Sequence, residues 1–121
     1  MYNEKVNNIL SKLSKSKFRN SFHLRKYMTD YINEKGIDKI KEHTISFINE
    51  KLADAYPKND GRQTPTKNHP TFIAMHACAC CCRGCLEKWH KIPKGRRLTN
   101  EEKNYIYLLL MTWIIREINK K

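Results

Sequence analysis

The sequence predicts an all-α fold, one small domain over residues 1–121 with about five helices and a long central loop. Three observations carry this. Apolar residues recur at helical spacing in successive stretches, and no apolar–polar alternation lasts beyond a few positions. Turn-forming residues gather in one block, from Asp54 to Pro70.

The elements follow in order. Val6, Ile9, Leu10 and Leu13 mark one face of a first helix. Leu24, Tyr27, Met28, Tyr31 and Ile32 repeat the pattern, and Gly36 is a natural cap at that helix's end. Ile37, Ile40, Thr44, Ile48 and Leu52 form a third stripe. The block 54–70, with Pro57, Asn59, Asp60, Gly61, Pro65 and Asn68, is loop chemistry and long for so small a domain. Pro70 suits the first turn of a fourth helix carrying Phe72, Ile73, His76 and most of the cysteines, which Gly84 is expected to break or end. Pro93, Lys94 and Gly95 make a turn. Thr99 with Glu102 then forms a capping box that opens the last helix, 99–119. Ile106, Leu109, Leu110, Trp113, Ile114 and Ile118 cover most of its sides, which places it at the centre of the fold.

Composition narrows the function. Hydrophobic residues make up 40% and charged residues 30%, enough for one modest core and too apolar for disorder throughout. Lys and Arg number 24 against 12 Asp and Glu, a net charge of +12 that favours a polyanionic partner. The longest apolar run, Tyr105 to Ile115, is about half of a membrane span. The N-terminus is polar and lysine-rich, without the apolar segment of a secretory signal, so a cytoplasmic protein is expected.

All five cysteines, Cys78, Cys80, Cys81, Cys82 and Cys85, fall within eight residues. Such a knot staples no distant segments, and an odd count without a signal argues for reduced thiols. Three chemistries compete. For zinc, Cys82 and Cys85 have the spacing with which two thiolates grip one ion from a tight turn, and His90 follows as in a zinc knuckle. The fourth knuckle position is Gly95, so the last ligand must be Cys81, His76, His69 or a water. For an iron–sulfur cluster, Cys78, Cys82 and Cys85 show the spacing of radical SAM enzymes, but the chain lacks the barrel that chemistry requires, which leaves a cluster of another kind held by Cys78, Cys81 or Cys82, and Cys85. For a plain core, Cys78, Cys81, Cys82 and Cys85 lie at i, i+3, i+4 and i+7, one helical face of small buried residues. Continuous helix would spread the outer pair by about 10 Å, too far to surround an ion, so metal binding requires the helix to break. A thiol redox role for Cys82 and Cys85 needs a helix N-terminus, and the cluster is expected at a helix's far end.

Several stretches resemble a small bacterial family of domains of unknown function. They are Lys17-Phe18-Arg19, Phe22-His23-Leu24, Asn59 to Pro65, His69-Pro70 and, most specifically, His76 to Pro93, which carries a CCRxCLxKWHxIP signature. The resemblance covers residues 10 to 115 and implies no established activity. His23, His69, His76, Cys81, Cys82, Cys85, Trp89 and His90 match the family's pattern, whereas Cys78 and Cys80 stand where it usually has threonine.

Outside the signature, His43 beside Ile40 and Phe47 is expected to flank the core, and His23 to cap or pack at a helix start. In the loop, Asp60 near His69 would be placed to assist a metal-bound water, the one catalytic arrangement the sequence suggests. Basic residues concentrate in two stretches. One is Lys12, Lys15, Lys17, Arg19, Arg25 and Lys26, and the other is Arg83, Lys88, Lys91, Lys94, Arg96 and Arg97 around the cysteine motif. Phosphate backbones bind such patches through charge. The sequence therefore points to a small zinc protein that engages nucleic acid. The alternatives are a metal-dependent hydrolase or nuclease with an open zinc site, a thiol redox protein, and a metal-free cysteine-rich helical domain.

Overall fold

The computed structural model describes residues 2–57 and 68–120. Seven helices follow one another: α1 (Tyr2–Ser14), α2 (Lys17–Asn20), α3 (Lys26–Lys35), α4 (Ile37–Lys51), α5 (Pro70–Ala77), α6 (Arg83–His90) and α7 (Asn100–Ile118). No strand occurs among the described residues, so the all-α expectation holds with two extra helical segments. One is α2, a single turn capped by Ser16 and too short to show any apolar period. The other arises because the cysteine-bearing helix is two helices.

Helix α7 is the centre. Ile106, Leu109, Leu110 and Ile114 are fully buried against Val6 and Leu10 of α1, Ile40 and Ile48 of α4, and Ala74 and Met75 of α5. Each such side chain contributes about 1.5–3 kcal/mol through removal from water. The capping box forms at its start, with Thr99 Oγ1 accepting from Glu102 N at 3.1 Å and Glu102 Oε1 accepting from Thr99 N at 2.9 Å. Gly36, at φ +87°, joins α3 to α4 in a backbone conformation that side chains rarely adopt. No helix among the described residues is long and apolar enough to cross a membrane.

The break in the cysteine segment does not fall at Gly84, which lies inside α6. It falls at Ala79, whose φ of +57° ends α5. The N–H of Cys80 donates to the Met75 carbonyl at 2.7 Å and that of Ala79 to His76 at 3.3 Å, the paired bonds of a Schellman ending. Glycine usually marks that left-handed position, so its absence hid the break.

Arg83, at the first turn of α6, is 1% exposed. Its guanidinium donates to the carbonyls of Leu52 (3.1 Å), Asp54 (2.6 Å), Pro93 (2.8 Å) and Arg96 (2.9 Å). One cation thus stitches the chain after α4 to the turn before α7, and the planar fork suits four dispersed acceptors.

Candidate metal centre

Three sulfurs meet at the N-terminus of α6. Cys82 is its N-cap, with extended backbone and Sγ accepting from Cys85 N at 3.4 Å. Cys85 stands one turn inside, and Cys81 just ahead of the cap. Their Sγ atoms all lie within 4.8 Å of one another, with Cys81 and Cys85 3.6 Å apart. Three thiolates on one tetrahedral zinc, with Zn–S near 2.3 Å, stand about 3.8 Å apart. This group can hold a metal ion. All three thiols are half-buried, and none of the five cysteines is in a disulfide.

The cluster's pole corrects the sequence expectation. Because α5 ends at Ala77 and a new helix starts at Arg83, the Cys82–Cys85 pair sits at a helix start, not a helix end. There the backbone N–H groups and the macrodipole favour anionic sulfur.

A second segment supplies a cation. Arg19, in α2, donates to the His76 carbonyl at 2.7 Å, which ties it to the end of α5. The same guanidinium reaches Cys85 Sγ at 3.2 Å and Cys81 Sγ at 3.8 Å. Phe22 stacks on the His76 ring with centroids 5.4 Å apart, and Leu24 N donates to Glu117 Oε1 at 3.0 Å. The stretch from Lys17 to Leu24 and the cysteine segment, distant in sequence, thus meet through Arg19 and Phe22. Sequence reasoning counted Arg19 only among surface charges. Its place in a stretch that carried the family resemblance was the one available signal.

Cys81 and Cys85 behave as a pair that shares a proton. The hydrogen bond with Cys85, helped by Arg19 and opposed by burial, brings the Cys81 thiol down to about 7. The same contact with Cys81, reinforced by burial, holds the Cys85 thiol well above its ordinary range.

The other candidates have different surroundings. Cys78 and Cys80 are fully buried in the core, and burial pushes both thiols up, so they remain protonated. The metal reading thus fits three cysteines and the core reading fits two. Cys78 Sγ faces the Leu109 carbonyl at 4.0 Å and stands outside the three-sulfur group, so the 78/82/85 spacing of an iron–sulfur site is not realised.

His90 and His76 also stand outside that group. His90 is buried, with Nε2 2.8 Å from the Cys78 carbonyl and Nδ1 2.8 Å from Tyr105 Oη. Nε2 must donate to that carbonyl, which leaves Nδ1 to accept from the tyrosine and no lone pair for an ion. Desolvation is the main cause that lowers its pKa to about 4. His69 caps α5, its Nδ1 accepting from Thr71 N at 3.0 Å, so its Nε2 carries the proton and donates to His43 Nδ1 at 3.0 Å. His43 is half-buried beside Phe47 and Tyr31, as a core-flanking histidine should be. His23 lies between α2 and α3, with Nδ1 3.2 Å from Glu117 Oε2. Asp60, and the Asn59 to Pro65 stretch with it, lies outside the described residues.

Of the basic residues around the motif, Arg83 is withdrawn from the surface by its four carbonyls. Lys88, Lys91, Lys94, Arg96 and Arg97 are exposed. Arg96 makes a two-pronged pair with Glu102, at 2.9 and 2.6 Å, and Arg97 pairs with Asp54.

A family model described as a domain of unknown function (DUF4186) matches residues 7–115. No solved structure matches the chain.

Proposed function

We propose that this chain, which belongs to the DUF4186 family of domains of unknown function, is a metal–thiolate domain that binds zinc and engages nucleic acid. The observation that carries the metal half is the convergence of Cys81, Cys82 and Cys85 at a helix N-terminus under the Arg19 guanidinium. Thiolate donors favour soft or borderline ions such as zinc over magnesium or calcium. A divalent ion with three thiolates carries one net negative charge, which Arg19 offsets. The fourth coordination position falls to a ligand beyond these three cysteines, a water or a group brought by a partner.

Support for the second half is electrostatic. The chain carries +12, and Lys88, Lys91 and Lys94 are exposed on α6 and the turn beside it, with no carboxylate pairing to their ammonium groups among the described residues. Phosphates attract such a surface without base contacts.

Two measurements test the halves separately. Elemental analysis and cobalt(II) titration of purified protein should give about one ion per chain, with thiolate-to-metal absorption. Cys81→Ser, Cys82→Ser and Cys85→Ser should each weaken binding by about tenfold or more, while Cys80→Ser leaves the absorption in place. Equal binding by all four variants would exclude the site. For nucleic acid, anisotropy with a labelled oligonucleotide should show a steep salt dependence. Replacing Lys88, Lys91 and Lys94 with Gln should lower its slope by about one for each phosphate no longer neutralised. An unchanged slope would remove this face from consideration and leave the metal site standing.

A further inference from the structure

Cys81 and Cys85 are close enough to bond to each other as well as to share an ion. Their sulfurs are 3.6 Å apart, in van der Waals contact and about 1.6 Å beyond the length of an S–S bond. Both lie under one guanidinium, Arg19, at 3.8 and 3.2 Å, which stabilises whichever sulfur is anionic. Both are half-buried and within reach of a small reagent, whereas Cys78 and Cys80 are sealed in the core. The third sulfur has a separate duty, because Cys82 caps α6 by accepting from Cys85 N. A bond from Cys85 to Cys82 would take up that cap, and a bond from Cys85 to Cys81 leaves it intact.

We propose that Cys81 and Cys85 form a reversible disulfide by exchange with a low-molecular-weight disulfide, and that this oxidation dismantles the metal site. The Cys81 thiolate attacks one sulfur of the disulfide RSSR, whose S–S bond breaks, and one RS⁻ leaves and takes a proton from water. Cys85 Sγ, as thiolate, then attacks Cys81 Sγ in the mixed disulfide and expels the second RS⁻, which is protonated in turn. The two cysteines lose two electrons and two protons, and RSSR becomes two RSH. Of the three ligands only Cys82 then remains a thiol, too few to hold the ion. Arg19 loses both sulfur anions and keeps the His76 carbonyl. The release of metal rests on the zinc reading above, whereas the Cys81–Cys85 bond does not.

The test uses the full chain, stripped of metal and fully reduced, with oxidised glutathione as the probe. Its five thiols should fall to three and return with dithiothreitol. Tryptic cleavage after Arg83 should leave the Cys81 and Cys85 peptides joined until reduced. Cys82→Ser should form the bond at the wild-type rate, and Cys81→Ser and Cys85→Ser should form an intramolecular bond at Cys81, Cys82 or Cys85 about tenfold slower or not at all. Circular dichroism on each variant establishes that it is folded.

Retention of all five thiols, or loss of the bond in Cys82→Ser with survival in Cys81→Ser, overturns the proposal. Zinc titration of the same preparation separates the two readings. A disulfide without zinc affinity sinks the zinc reading alone. Zinc affinity without a disulfide in the metal-free protein sinks this one alone.

Discussion

Arg83 brings a full positive charge into the interior, where its guanidinium donates to four carbonyl oxygens. Four oriented dipoles receive that charge, so removing the cation orphans four acceptors at once. Arg83→Met should destabilise the fold by about 3 kcal/mol or more, read as a lower urea midpoint, with Arg83→Lys recovering little because an ammonium cannot span the four positions. A loss below about 1 kcal/mol would mean that the carbonyls find other donors. In the sequence this residue was indistinguishable from its exposed neighbours Lys88 and Lys91. The difference lies in which carbonyls the folded chain turns toward it.

At the scale of elements, the informative events are helix ends. Thr99 and Glu102 were readable as a box because both halves of that signal are side chains three residues apart. Ala79 and Lys91 were not readable, since each ends its helix at positive φ without the glycine that normally announces it. Lys91, at φ +60° and exposed, offers a clean test. Lys91→Gly should raise stability by about 0.5–1 kcal/mol by relieving the left-handed conformation, measured as a higher unfolding midpoint. No gain would show that the αL backbone is not a source of strain. The unseen break at Ala79 mattered more, because it turned a helix end into a helix start beneath the cysteines and changed what their sulfurs can do.

For the whole molecule, the buried histidines set the pH response. In the unfolded chain they bind protons near 6.5. Desolvation, with a smaller contribution from His43, holds His69 neutral down to about 4. Desolvation first, then the nearby charges of Lys5 and Arg19, does the same for His90. Their contribution is therefore complete above about pH 6.5 and is lost as pH falls toward about 4, on the order of 3 kcal/mol for each. The melting temperature should drop steeply between about pH 6.5 and 4.5, and less steeply in His90→Gln, which keeps hydrogen bonding without titrating. A flat profile over that range would show that neither ring is held neutral by the fold. At lower pH carboxylates add to the loss. Arg96 keeps Glu102 at about 2, and Glu117 is held low by Lys120, Leu24 and His23 against the opposing effect of burial.

Periodicity and caps determined the helical class, five of the seven helices and the central place of α7, because each is encoded by residues three or four apart whose burial is decided locally. The cysteine motif determined that several thiols lie close together along the chain, since thiolate chemistry belongs to the residues themselves. Tertiary structure alone decided which of these thiols could share an ion: Cys81, Cys82 and Cys85 converge, while Cys78 and Cys80 enter the core and His90 is taken by Tyr105 and a carbonyl. It also brought Arg19 across more than sixty residues to face the sulfurs. The physical reason is that a ligand set depends on the direction in which side chains leave the backbone. Here that direction was set by a left-handed alanine and by the docking of a four-residue helix, neither of which leaves a period in the sequence.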